Sequence, residues 1–204
     1  QLGVAEYVTA GVSGGGPHAL ACAALHEGRC LRVATLAGVA PYEAAGLDFL
    51  DGMGPENVDE FGAAVQGEGA LRHWMAENAE PFRAVTGAQI AEAFGGLVPQ
   101  IDRDALRGGY ADHMAAGTRR ALGGGVDGWV DDDLAFTRPW GFDLARIDVP
   151  VTVWQGDLDL MVPAAHGAWL QAQLPGAQAR TPEGHGHISL VTEHRQEILD
   201  WLLG

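Results

Sequence analysis

Serine occurs only twice in the 204 residues, at Ser13 and Ser189. Ser13 stands in Gly11-Val12-Ser13-Gly14-Gly15, a G-x-S-x-G pattern. A serine hydroxyl is a weak nucleophile until a turn exposes it and a base takes its proton. Glycines on either side permit such a turn, because larger neighbours would clash where the backbone doubles back. If a helix begins directly after Ser13, the Gly14 backbone N–H is aimed where an oxyanion would develop. In a chain with 30 glycines the pattern alone carries little weight, and its placement between secondary-structure elements decides its meaning.

A base and an orienting acid are the partners such a serine requires. The segment Val151-Thr152-Val153-Trp154-Gln155-Gly156-Asp157-Leu158-Asp159 puts two aspartates just past an apolar, β-branched run. Functional side chains are presented at that end of a strand in open α/β sheets. Downstream, Gly184-His185-Gly186-His187 offers two histidines. The residue types leave Asp157 against Asp159 and His185 against His187 open.

The remaining candidates have plainer readings. His18, just past Ser13, could line a pocket but suits a structural role. His26, His73, His113, His166 and His194 read as surface or helix-end residues. Asp131-Asp132-Asp133 reads as a solvated loop or helix start, since consecutive carboxylates do not converge on one point. Trp74, Phe82, Phe94, Met114, Trp129 and Trp140 read mostly as core, with one or two facing a substrate.

The elements that must position these groups follow from the pattern. Glu6 to Ala10 contains Tyr7, Val8 and Thr9 and predicts a short strand. Pro17 suits the first turn of a helix that continues over Ala19 to His26 and stops at Gly28. Leu31 to Val39 predicts a second strand, so the opening is a parallel βαβ unit. From Tyr42 to Ala135, helical spacing dominates at Ala70 to Glu77, Gln89 to Phe94 and Asp104 to Leu122. Breaks fall at Gly95-Gly96, Gly108-Gly109 and Gly123-Gly124-Gly125. Strand character returns at Val149 to Gln155. A helix over Pro163 to Leu174, a weak strand over Ala177 to Pro182 and a closing helix over Ile188 to Leu203 follow.

With the strand–turn–helix context in place, the chain resembles the α/β-hydrolase superfamily, as a capped, esterase-like member with a serine nucleophile. The stretches that carry the resemblance are Gly11 to Gly15, Gly156 to Pro163 and Gly186-His187. It implies an α/β fold with a mostly parallel sheet, Ser…Asp…His as the order of the triad, and a helical cap. The parts would be 1–41 with the nucleophile elbow, 42–135 as the cap insertion, and 136–204 carrying acid and histidine. The family acid commonly sits three residues after a glycine and shortly before Val-Pro, which points to Asp159. The family histidine follows a glycine and leads into the last helix, which points to His187. Ser13 would be the nucleophile and the Gly14 N–H an oxyanion donor. The substrate class implied is a small carboxylic ester or related acyl compound. C–C bond hydrolases, lactonases and perhydrolase-type enzymes share the serine. Epoxide hydrolases and haloalkane dehalogenases of this fold carry aspartate at the elbow, and proline iminopeptidases tend to carry tryptophan where Gly14 stands. No metal or organic cofactor is implied.

Composition narrows the partners. The net charge is −15 and all 12 basic residues are arginine, so a phosphate backbone would be repelled and no nucleic acid is expected. No apolar run reaches membrane-spanning length, and no signal peptide is evident at Gln1-Leu2-Gly3-Val4, so no membrane partner is expected and a cytoplasmic location is. The two cysteines are too few for a disulfide framework. The family usually has further strands and a second oxyanion donor ahead of the elbow, whereas only about a dozen residues precede Ser13. The chain therefore resembles the C-terminal two-thirds of a hydrolase. Two expectations follow. Glu6–Ala10 would be a sheet edge open to a second copy or a complementary N-terminal chain. The chain alone could also serve as an incomplete fragment or a binding scaffold.

Overall fold

A computed structural model describes residues 3–94, 98–107 and 109–204. The breaks expected at Gly95-Gly96 and at Gly108 lie outside the described residues. Four parallel strands form one sheet in the order β1-β2-β3-β4: β1 Tyr7–Val12, β2 Cys30–Leu36, β3 Val151–Trp154 and β4 Gln178–Arg180. β1 runs two residues beyond the expected Ala10, because the ladder continues through Leu36 and Ser13 N–H still donates to Leu36 O at 2.8 Å. β1 and β4 are its outer strands.

Period-2 alternation explains how both sheet faces are covered. Val33, Val151 and Val153 face one side, packing with Ala19, Leu20 and Ala23 of helix α1 (Gly15–Leu25) and with Leu170 of helix α8 (Ala164–Gln173). Ala34, Leu36 and Trp154 face the other, packing with Leu190, Ile198 and Leu202 of helix α9 (His187–Leu203). Strands buried on both faces read as near-continuous apolar runs, as β2 and β3 do.

Between β2 and β3 lie α2 (Pro55–Gln66), α3 (Glu68–Asn78), α4 (Gly87–Phe94), α5 (Gln100–Ala105), α6 (Gly109–Ala121) and α7 (Asp127–Phe136). Asp104 to Leu122, expected at helical spacing with a break at Gly108-Gly109, covers the end of α5 and α6. Two apolar clusters organise these helices. Ala63, Ala64, Leu71, Met75, Val130 and Leu134 join α2, α3 and α7. Ile90, Leu106, Ala111 and Ala115 join α4, the end of α5 and α6, and they take in Ile188 of α9.

The Asp131-Asp132-Asp133 run, expected as a solvated loop or helix start, is exposed at Asp131 and Asp132 and departs from that expectation at Asp133. It lies within α7, where a helix turns successive side chains about 100° apart, so Asp133 points inward and is 3% exposed. Its Oδ2 has no hydrogen-bond partner among the described residues. Burial, the Glu60 charge, the Glu60 contact and the Asp132 charge hold its carboxyl well above the ordinary range. Glu60, whose Oε1 accepts the Trp129 indole N–H at 2.5 Å, is itself pushed up by burial. The folded state therefore keeps a proton that the unfolded chain releases, and stability falls as pH rises from the ordinary carboxylate range toward the raised value. Asp133→Asn, close in shape and uncharged, should raise Tm at about pH 8 by a few degrees, with the two proteins converging near pH 4. Thermal melts at both pH values test this; an Asn variant that is less stable at pH 8 would contradict it.

Candidate active site

The Gly11–Gly15 segment forms the sharp turn that its composition predicts. Ser13 takes φ +55°, a left-handed conformation unusual for a residue with a side chain. Gly16 N–H donates to Ser13 O at 2.9 Å, and α1 starts at Gly15 with Gly14 at its N-cap. The first amides of a helix have no intrahelical acceptor, so this end of α1 is a donor surface. The turn is crowded. A Cβ at Gly11 would lie 1.9 Å from Gly15 O, and one at Gly14 would lie 2.8 Å from the Phe136 ring.

Because all four strands are parallel, their C-terminal ends share one edge of the sheet. Ser13 follows β1, Asp157 and Asp159 follow β3, and His185 and His187 follow β4. Of the two aspartates and two histidines, Asp159 and His187 are brought together: His187 Nδ1 lies 2.8 Å from Asp159 Oδ2. Both are buried. Asp159 Oδ1 accepts the backbone N–H of Met161 at 2.9 Å and of Val162 at 2.8 Å, which fixes the carboxylate plane. Asp157 instead closes a loop, its Oδ1 accepting from Gly184 N–H at 2.7 Å and His185 N–H at 3.1 Å. His185 points away, with Nδ1 near Glu183 O and Nε2 3.3 Å from Glu193.

With Nδ1–H donated to Asp159, His187 presents Nε2 as a lone pair. Burial lowers the affinity of His187 for a proton. The Asp159 charge, its hydrogen bond and the Asp102 charge outweigh that, and the imidazole stands above its ordinary range. Gly156 lets the acid loop and the histidine loop touch, since a Cβ there would lie 2.4 Å from His185 O.

Against the elbow lies Phe136, at the end of α7, which the sequence reading did not single out. Phe136 belongs to an apolar cluster with Val39, Phe49, Met53, Phe61 and Val162. That cluster reaches both Gly14, through Phe136, and the Asp159 loop, through Val162. The aromatic residues singled out from sequence lie elsewhere. Trp74 and Phe82 meet Trp129 edge-on, Phe94 and Met114 pack in the α4–α6 cluster, and Trp140 packs against the sheet core. The preference of large residues for the core does not reveal which core they join.

Two histidines depart from expectation or sharpen it. His166, expected at a surface or helix end, is fully buried in α8. Ala40 N–H donates to its Nδ1 at 3.1 Å, so Nε2 carries the proton and donates to Phe49 O at 2.9 Å. Burial holds this imidazole neutral, and it ties the loop after β2 to α8. His18 is half exposed, 3.0 Å from Asp132 and edge-on to Phe136. Among the described residues no group of three or more His, Cys, Asp and Glu could hold a metal ion. None of their helices is long and apolar enough to cross a membrane.

An elbow serine, a buried Asp–His pair and a parallel sheet that gathers them on one edge are the features of one fold family. Residues 1–194 match the α/β hydrolase fold family, and the chain belongs to it. A search of curated protein sequences found no match. Similar solved structures include an esterase, RhEst1, from Rhodococcus sp. ECU1013, at 22% identity and TM-score 0.59, covering 99% of this chain and 67% of that one. Est816, described as an N-acyl homoserine lactone degrading enzyme, is 21% identical with TM-score 0.58, covering 98% and 68%. A bromoperoxidase from Bacillus anthracis is 21% identical with TM-score 0.59, covering 100% and 68%. The chain thus spans about two thirds of the length of these structures.

Proposed function

We propose that this protein is a serine hydrolase acting on a carboxylic ester or related acyl compound, with Ser13 as nucleophile, His187 as base and Asp159 as the orienting acid. The observation that carries this reading is the 2.8 Å contact of His187 Nδ1 with a buried, doubly anchored Asp159, on the sheet edge where Ser13 follows β1. Ser13 Oγ attacks the acyl carbon while its proton passes to His187 Nε2. The Gly14 N–H supports the oxyanion. The C–O bond to the leaving alcohol then breaks, and His187 returns the proton to the departing oxygen. Water attacks the acyl-enzyme, gives a proton to His187, and releases the acid as Ser13 regains its hydrogen. No metal or organic cofactor enters these steps. A lactone is a cyclic ester and would follow the same steps, a reading favoured by the likeness to the lactone-degrading enzyme.

Intact-mass measurement after treatment with a fluorophosphonate tests the reading. One adduct on the protein and none on Ser13→Ala is the expected result. An unmodified protein under conditions that label a reference serine esterase would overturn it for this chain.

A further inference from the structure

The helix that carries His187 starts without a cap of its own. α9 begins at His187, and its N-cap residue is Gly186, which has no side chain to accept from the first-turn amides. The acceptor comes instead from Asp102 on α5, 86 residues away along the chain and fully buried. Asp102 Oδ2 accepts Ile188 N–H at 3.1 Å. Asp102 Oδ1 accepts Ser189 N–H at 2.8 Å and Ser189 Oγ–H at 2.5 Å. Ser189 Oγ in turn accepts Gly186 N–H at 2.9 Å, so backbone on both sides of His187 is tied to one carboxylate. The fit is close: a Cβ at Gly186 would lie 2.4 Å from Asp102 Oδ2. Nothing in the spacing around Asp102 singles it out, and the uncapped glycine at the start of α9 is the one trace it leaves in the sequence.

We propose that Asp102 is a positioning residue of the active site, a cap carboxylate that holds the N-terminus of α9 and so sets His187 against Asp159. This rests on the reading of His187 as the base. Two physical effects combine. The hydrogen bonds fix the backbone from which the imidazole projects. The negative charge also offsets the positive end of the α9 dipole, which otherwise disfavours an imidazolium at the first residue of the helix. The charged groups acting on His187 are Asp159 from the loop after β3 and Asp102 from α5. Helix α5 thereby contributes to the charge state of the base.

Two variants separate charge from capping. Asp102→Asn removes the charge and keeps one accepting oxygen for the α9 amides in place of two. Ser189→Ala keeps the charge and removes the hydroxyl bridge. The His187 imidazole would be titrated by NMR in the wild type and both variants, beside rates of fluorophosphonate labelling. In Asp102→Asn the His187 midpoint should move to lower pH, and the pH at which labelling reaches half its maximal rate should fall with it. In Ser189→Ala the midpoint should stay in place even if Tm falls. An unchanged midpoint in Asp102→Asn would overturn the proposal and leave Asp102 a helix cap alone. A shifted midpoint in a protein whose wild type takes no label would uphold the coupling and refute the serine hydrolase reading, so the two failures are distinct.

Discussion

Asp159→Asn should fold as the wild type does and lose about 10⁴-fold in turnover. The reason is the tautomer. Asp159 Oδ1 receives two backbone N–H groups, from Met161 and Val162. An asparagine there must place its amide oxygen toward those donors, which turns its NH₂ toward His187 Nδ1. Nδ1 then accepts, the imidazole proton moves to Nε2, and the lone pair that would take the Ser13 proton is gone. Asp157→Asn is the control, because the amide oxygen can still accept from Gly184 and His185 as the carboxylate oxygen does. Steady-state hydrolysis of an activated ester by both variants checks the assignment. A loss below about tenfold in Asp159→Asn would remove it from the triad.

Gly11→Ala should abolish labelling at Ser13 and destabilise the protein by several kcal/mol, on the order of the largest single-residue effects. The added methyl would lie 1.9 Å from Gly15 O and 2.3 Å from Gly15 C, atoms of the turn itself and not the end of a flexible side chain. Relief requires opening the turn. That would move the Ser13 backbone off its contact with Leu36 O and displace the start of α1. Urea denaturation together with probe labelling gives both readouts. A Gly11→Ala protein of normal stability and reactivity would mean that the turn has room that the geometry denies it.

The parts of the site legible in the sequence are those set by local physics. The elbow depends on a handful of consecutive residues, and Gly11 and Gly14 leave no room for a side chain beside a serine at φ +55° between a strand and a helix. The strands β2 and β3 show themselves because burial on both faces demands continuous apolar runs. Composition likewise sets the acidic charge. The tertiary structure decided what depends on groups far apart in the chain. Asp157 and Asp159 are two residues apart, as are His185 and His187, and only the packing of two loops through Gly156 selects which acid meets which imidazole. Asp102 of α5 meets the start of α9, and Phe136 of α7 meets Gly14, only through tertiary packing of helices far from them in the chain. His166 and Asp133 look like surface residues in a polar-spaced helix, and burial is a property of what packs against the helix, which a single segment of sequence does not carry.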